Sequence, residues 1–198
     1  MKKVFYVCVF SLLLLSNTFI EKQLNNKIKI TYLGYKSDVY SSDFPTLEFE
    51  ITNNSQDTIY LSKQNIVVTV IKGKSIIKEG KPSTIGTPFV KPVIRNTIFC
   101  KEQKENQEKI NSLKLKFANN LYNKNFASNT LYKNDKNFII ENIIRDCIVL
   151  MPNESIDYNK GFYSKSFDKT CKVSAKYSDN KVFTYFVDDN EKKIEINN

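Results

Sequence analysis

The sequence predicts a mainly β protein: an antiparallel β-sandwich that is interrupted by an α-helical insertion. Two observations lead to this prediction. Apolar and polar residues alternate with a period of two in about seven or more short segments, which polar turns separate. Between these segments, at about 101–146, lies a stretch in which apolar residues recur with the period of an α-helix.

The first half of the chain contains the clearest alternation. Leu47, Phe49 and Ile51 fall on one face of a predicted strand, and glutamates occupy the positions between them. A β-branched run at 65–71 predicts a second strong strand. The predicted strands of this half cover residues 27–32, 46–52, 58–61, 65–71 and 75–78.

Turns and one loop separate these strands. The cluster at 53–55 (Asn-Asn-Ser) predicts a turn, and 72–75 (Lys-Gly-Lys-Ser) predicts a tight hairpin turn. Residues 80–92 hold five of the ten Gly and Pro residues of the chain, so they predict an irregular loop or a broken edge strand.

The helical insertion begins where the period changes. Ile110, Leu113, Phe117 and Leu121 form a single apolar stripe, which predicts a helix from 101 to about 123. The isoleucine-rich stretch at 139–144 fits the face of a helix, but a β-branched run of this kind also fits a strand.

Strand patterns return after the insertion. We see no internal repeat and no linker, so the sequence predicts a single domain at 19–198 with a helical insertion at about 101–146. The predicted strands of this part cover residues 148–151, 155–158, 170–177, 182–187 and 193–196.

The N-terminus has the pattern of a secretory signal peptide. Lys2 and Lys3 precede a nearly unbroken apolar stretch at 4–15, and small residues then place a cleavage site after Thr18. The apolar stretch is too short to cross a bilayer comfortably. We therefore expect residues 1–18 to direct export to the periplasm or the medium, and the mature chain not to span a membrane.

Three cysteines remain after the one inside the predicted signal peptide. An odd number in an exported protein allows one disulfide and one free thiol. Cys100 and Cys147 lie at the two ends of the helical insertion, so we favour a bridge between them, with Cys171 as a buried free thiol. A bridge between Cys147 and Cys171 is the alternative.

Composition excludes several kinds of chemistry. The chain has no His, which excludes Ser-His-Asp and Cys-His nucleophilic catalysis and histidine-ligated zinc. The net charge of +9 comes almost entirely from scattered lysines, because only Arg95 and Arg145 are arginines. Nucleic-acid binding normally uses clustered arginine and interleaved aromatic residues. We therefore expect no enzyme activity, no metal or cofactor, and no nucleic-acid partner.

Two segments carry a resemblance to a known family. Residues 47–61 (LEFEITNNSQDTIYL) and 150–158 (LMPNESIDY) resemble a strand–turn–strand unit and a Leu-x-Pro-Gly-Glu-Ser turn of bacterial immunoglobulin-like domains, among them the intracellular proteinase inhibitor family. Asn153 stands where that turn usually has Gly. The resemblance implies an immunoglobulin-like β-sandwich, and it transfers neither an activity nor an inhibitory residue.

These observations together predict an exported, non-enzymatic binding protein. We expect a protein partner, of the inhibitor or immunity type, at the cell envelope or outside the cell. The predicted contact region is the loop around residues 85–90 or the exposed part of the helical insertion, because binding residues often lie on irregular loops. The candidate contact residues are Ile85, Thr87, Phe89 and Val90. The alternative is a structural or adhesive envelope protein that contacts polysaccharide through its aromatic residues and lysines.

Overall fold

The computed structural model describes residues 27–38, 41–80, 99–126, 132, 135–178, 180–187 and 191–198. The predicted signal peptide at 1–18 lies outside these residues. Within them the protein is mainly antiparallel β with two helices, which confirms the predicted class. Neither helix of the described part is long and apolar enough for a membrane crossing.

The strands and helices follow the sequence pattern closely, with longer strands at the N-terminal end. The strands are β1 (Ile28–Asp38), β2 (Ser41–Asn53), β3 (Ile59–Ser62), β4 (Ile66–Lys72), β5 (Ser75–Ile77), β6 (Cys147–Leu150), β7 (Ser155–Gly161), β8 (Lys172–Tyr177), β9 (Val182–Val187) and β10 (Lys193–Asn197). The helices are α1 (Phe99–Phe126) and α2 (Lys136–Asp146), and a 3-10 turn (Lys63–Asn65) joins β3 to β4.

The chain divides into two compact units. The first unit contains Met1–Ile59, Ile66–Glu79 and Leu150–Asp179, and the second contains Tyr60–Asn65, Gly80–Val149 and Asn180–Asn198. Both helices belong to the second unit, and their residue ranges correspond to the helical insertion predicted at about 101–146. The predicted single domain at 19–198 stays a prediction.

The first unit contains two antiparallel sheets, ordered β1-β2-β7 and β5-β4-β8. Leu47 and Phe49 of β2 are fully buried, as the alternation predicts, and they pack with Val70 of β4 and with Phe162. Because β2 and β4 belong to different sheets, the apolar sides of the two sheets share one core. An immunoglobulin-like arrangement is not confirmed by this topology.

Two turns of the first unit require a left-handed backbone. Gly73 has φ +60° in the hairpin between β4 and β5, where the sequence predicted a tight turn. Asn153 has φ 58° after Pro152, and the N–H of Glu154 donates to the carbonyl of Met151 (3.1 Å). Glycine adopts this conformation without strain, and asparagine tolerates it better than most residues.

One ion pair holds the loop before β8 to β4. Asp168 accepts from the Lys72 amine (2.6 Å), and its other oxygen accepts from the N–H (2.8 Å) and the hydroxyl (2.6 Å) of Thr170. The Lys72 and Thr170 donors hold the pKa of Asp168 well below its usual range. The same contact raises the pKa of Lys72.

These shifts predict how stability depends on pH. Asp168 has a depressed folded pKa, so its contribution is present above about pH 4, its unfolded pKa, and is lost as pH falls through the folded pKa. We expect Asp168→Asn to lower stability at neutral pH and to match the wild type in strong acid. Urea unfolding as a function of pH measures this. Asp157→Asn, an exposed change on β7, is the control, and parallel pH profiles for wild type and Asp168→Asn would contradict the prediction.

The second unit combines α1 and α2 with two two-stranded sheets, ordered β10-β9 and β3-β6. Ile139 and Ile143 of α2 are fully buried with Phe183 of β9 and Ile196 of β10. The isoleucines of 139–144 therefore belong to a helix, which resolves the two interpretations of that segment. The helix period wins because their spacing places them on one buried stripe.

Candidate functional site

The loop residues predicted to contact a partner, Ile85, Thr87, Phe89 and Val90, lie outside the described residues. Their role stays a prediction. The described residues contain a different candidate site, on the second unit, which the sequence reasoning did not identify.

The cysteines give no support for the predicted disulfide. Cys147 is a free thiol, fully buried in the apolar core of the second unit, and Cys171 is a free, half-buried thiol. The alternative bridge between Cys147 and Cys171 is therefore not formed. The Cys100–Cys147 bridge that we favoured also requires Cys147, so the free Cys147 thiol gives that bridge no support either.

The two free thiols should differ in reactivity. Burial raises the pKa of Cys147 to about 12, and the thiolate is the nucleophile in alkylation. At about pH 8 we expect iodoacetamide to label Cys171 well before Cys147, and urea to remove the difference. Peptide mapping by mass spectrometry measures both sites, with Cys171→Ser as the control. Equal labelling rates in the native protein would contradict the predicted protection.

The candidate site begins as a cleft of about 370 Å³ in the second unit. Residues from the 3-10 turn, the C-terminal end of α2 and β9 form its walls. The lining residues are Lys63, Gln64, Asn142, Arg145, Asp146, Thr184, Tyr185 and Phe186.

The 3-10 turn is anchored to the end of α2. The Ser62 hydroxyl donates a short hydrogen bond to the Asp146 carboxylate, and the Lys63 amine donates to the carbonyl of Arg145 (2.6 Å). The last carbonyls of a helix lack partners within the helix and carry partial negative charge, so a lysine here is favourable. These contacts fix the turn, and with it the two amide side chains that follow.

Those amides, Gln64 and Asn65, bond to the backbone of β9. Gln64 donates from Nε2 to the carbonyl of Tyr185 (2.8 Å), and its Oε1 accepts from the N–H of Tyr185 (3.3 Å). Asn65 donates to the carbonyls of Val182 (3.1 Å) and Phe183 (3.2 Å). In a strand, the N–H and C=O of one residue point to the same side. The Gln64 amide thus takes the position that a neighbouring strand would take.

A second cleft, of about 420 Å³, shares Gln64, Thr184 and Tyr185 with the first. The two clefts together follow β9 from Val182 to Phe186, and we call them the β9 groove. The further lining residues of the second cleft are Asn65, Asn180, Lys181, Val182, Lys193 and Glu195.

The groove has an excess of positive charge. It is lined by four cations, Lys63, Arg145, Lys181 and Lys193, and by two carboxylates. Both carboxylates have partners: Asp146 accepts from Ser62, and Glu195 forms an ion pair with Lys193 (2.6 Å). The hydrogen bond to Glu195 raises the pKa of Lys193.

Aromatic residues stand beside these cations. Tyr185 is 44% exposed, and the Lys193 amine lies 4.4 Å from its ring centroid, within the range of a cation–π contact. Phe138 of α2, 47% exposed, meets Phe186 edge to face at 5.5 Å between centroids. Val187, at the end of β9, is 55% exposed.

Arg145 lines the same cleft as the aromatic residues Tyr185 and Phe186. It is the only arginine among the described residues, and its guanidinium donates a short hydrogen bond to Asn142 Oδ1. The sequence shows Arg145 next to Asp146, but it left the segment open between helix and strand, so the position of Arg145 in the last turn of α2 comes from the structure. The sequence signal that could have pointed to this site is the rare arginine in a lysine-rich chain. The other residues of the groove are distant from Arg145 in sequence, so no local motif contains them.

No protein-family model, curated protein or solved structure matches this chain. Among the described residues, no group of three or more Cys, Asp or Glu side chains is arranged to hold a metal ion. Function is therefore inferred from the residues of the chain itself.

Proposed function

We propose that this protein is an exported, non-enzymatic binding protein of immunoglobulin-like type that engages a protein partner, as an inhibitor or immunity protein does, at the cell envelope or outside the cell. The β9 groove is the proposed contact site. The signal pattern at 1–18 supports export, and the resemblance of 47–61 and 150–158 supports the immunoglobulin-like assignment.

One observation carries the binding proposal: exposed aromatic residues converge with arginine around one groove. Tyr185 and Arg145 both line the first cleft, and the exposed Phe138 contacts Phe186 of the same cleft. Tyrosine and arginine are enriched among the residues that dominate the binding energy of protein interfaces. The site thus has the chemistry of a protein contact.

The chemistry of the groove also favours binding over catalysis. A hydrolase that relies on carboxylates needs two of them across the substrate, one with a raised pKa. The groove carboxylates, Asp146 and Glu195, instead accept hydrogen bonds from Ser62 and Lys193. The whole chain lacks the histidine that most nucleophilic enzymes use as a base.

A capture experiment tests the proposed function. The tagged full chain, the groove variant Arg145→Ala/Tyr185→Ala and the control Lys74→Ala/Ile76→Ala are incubated with the envelope fraction of the source cells. The control removes an exposed cation and an exposed apolar residue from the first unit. We expect one stoichiometric protein to bind the wild type and the control, and to be lost with the groove variant.

The polysaccharide alternative makes a different prediction in the same experiment. Retention on purified cell-wall material that added salt reverses, with no protein captured, would replace the protein partner by an anionic polymer. Capture of the same protein by wild type and groove variant would show that another surface makes the contact.

A further inference from the structure

We infer that the β9 groove binds an extended acidic segment of its partner, which pairs with the edge of β9 opposite β10 in place of the Gln64 amide. This inference rests on the proposed binding role of the groove and names the kind of segment that fits it. Three observations carry it: the hydrogen bonds of Tyr185, the length of the groove and its charge.

The backbone of β9 is prepared for strand pairing. β10 pairs with one edge of β9, and no described strand pairs with the other. On that other edge, the N–H and C=O of Tyr185 bond to the Gln64 side chain. A peptide group offers the same donor and acceptor as a glutamine amide. At Tyr185 an incoming strand therefore replaces two hydrogen bonds with two equivalent ones, while the exposed Gln64 side chain moves into water. The buried Asn65 keeps its hydrogen bonds to Val182 and Phe183.

The shape of the groove selects an extended occupant. The two clefts follow β9 from Val182 to Phe186 and are joined at Gln64, Thr184 and Tyr185. A strand rises about 3.3 Å per residue, so this length takes about five residues of extended chain. Main-chain pairing with side-chain contacts at alternate residues is the usual mode of strand addition.

The charge of the groove selects an acidic occupant. Of its four cations, Lys193 is paired with Glu195, and Lys63 bonds to the carbonyl of Arg145. Arg145 and Lys181 lie at opposite ends, in the first and second cleft respectively. Alternate residues of one strand point to the same side, so an acidic segment can reach both cations. Complementary charge also speeds association.

The same features explain why the edge is covered in the free protein. An open strand edge pairs readily with other chains, and proteins cover such edges to avoid association. Gln64 and Asn65 cover β9 from Val182 to Tyr185. The exposed Gln64 side chain is easier to displace than a strand, so it protects the edge at Tyr185 and still permits a partner to bind there.

The test uses the full chain and a fluorescein-labelled peptide of alternating glutamate and valine, with Kd measured by anisotropy at low salt. Two control peptides separate the contribution of charge from that of main-chain hydrogen bonding. One replaces glutamate by lysine, and the other keeps glutamate but is methylated on its backbone nitrogens, which removes the N–H donors. We expect the acidic peptide to bind, and both controls to bind at least about tenfold more weakly.

Two substitutions of Gln64 should change the Kd of the acidic peptide in opposite directions. Gln64→Ala removes the competing amide and should tighten binding about tenfold, the worth of two net hydrogen bonds. Gln64→Glu places a carboxylate in the groove and should weaken binding about fivefold. Arg145→Gln and Lys181→Gln should each weaken it by a similar factor, whereas Lys74→Gln on the first unit should leave it unchanged.

Several results would overturn the inference. The first is failure of the acidic peptide to bind, and the second is equal binding of the lysine peptide or the N-methylated peptide. The third is self-association of Gln64→Ala that blocks the peptide, because a second copy of the chain would then be the occupant. If these occur while groove-dependent capture of a protein persists, the proposed function stands without strand pairing. Peptide binding of the expected kind without any captured protein would leave the strand site and remove the proposed partner.

Discussion

Asn53→Ala is expected to lower the free energy of unfolding by about 3–5 kcal/mol, since it removes several buried hydrogen bonds at once. Asn53 is fully buried at the end of β2. Its Nδ2 donates to the carbonyls of Asp57 (2.7 Å), Met151 (2.9 Å) and Leu150 (3.2 Å). Its Oδ1 accepts from the N–H (2.9 Å) and hydroxyl (2.7 Å) of Ser55.

These bonds connect the segments 47–61 and 150–158. The turn after β2 and the turn before β7 are held together by one side chain, supported by the bond from the N–H of Asn53 to the carbonyl of Glu154 (2.9 Å). Alanine would leave buried donors and acceptors without partners, and each such group costs about 1–3 kcal/mol.

Urea unfolding of three variants measures the effect. Asn54→Ala, at the exposed neighbouring position, should change stability by less than about 0.5 kcal/mol. Asn53→Asp keeps the acceptor but turns a carboxylate oxygen toward three carbonyls, so it should also destabilise, and more strongly at neutral than at acid pH. A loss below about 1 kcal/mol for Asn53→Ala would mean that the turns hold without this network.

The burial of Asn53 also affects which asparagine is accessible for N-glycosylation. Asn53 and Asn153 each begin an Asn-x-Ser sequence, the acceptor pattern for N-glycosylation. The Asn53 amide is buried and fully bonded, whereas Asn153 is exposed in its turn. In the folded protein, only Asn153 of this pair presents an accessible acceptor.

Phe183→Ala is the second change with a large expected effect, a loss of about 3–5 kcal/mol for a fully buried phenylalanine. The Phe183 ring lies in the core of the second unit, edge to face with Phe117 of α1 at 5.1 Å between centroids. Phe117 in turn stacks on Tyr60 of β3 at 4.2 Å. Alanine would leave a cavity that contacts a helix and two sheets of this unit.

Tyr185→Ala is the matched control, since it removes an aromatic ring two residues further along the same strand. Its side chain is 44% exposed, so we expect a loss below about 1 kcal/mol. Thermal unfolding by circular dichroism measures both variants. Tyr185→Ala should abolish partner capture in a folded protein, and Phe183→Ala should lower Tm. Equal stability losses would contradict the assignment of Phe183 to the core and Tyr185 to the surface.

Local patterns accounted for most of the strands. Alternation in β2 and β8 and the Gly73 hairpin depend on neighbours within a few residues, so they are visible in the sequence. In β1 the alternating pattern predicted a strand only to residue 32, whereas the strand continues to Asp38. Its pairing with β2 shifts register between Tyr32 and Gly34, where Gly34 has φ +151°. Such an irregularity moves later side chains to the other face and interrupts the period of two.

Packing decided where helix α1 ends and whether the isoleucines at 139–144 form a helix or a strand. Helix α1 continues past the predicted end near residue 123 to Phe126, which is buried against Tyr122 and Tyr132. A β-branched run has no strong helical preference of its own. The isoleucines of α2 become helical because one stripe of them fills the core of the second unit.

Composition and period in the linear sequence were sufficient for the β class, the place of the helices, the missing histidine chemistry and the basic charge, because each depends on residue type or on near neighbours. The β9 groove required the folded chain. Gln64, Arg145 and Tyr185 come from a turn, a helix end and a strand that are distant in sequence. Only hydrogen bonding and core packing within the second unit bring them together, and no pattern along the chain contains that information.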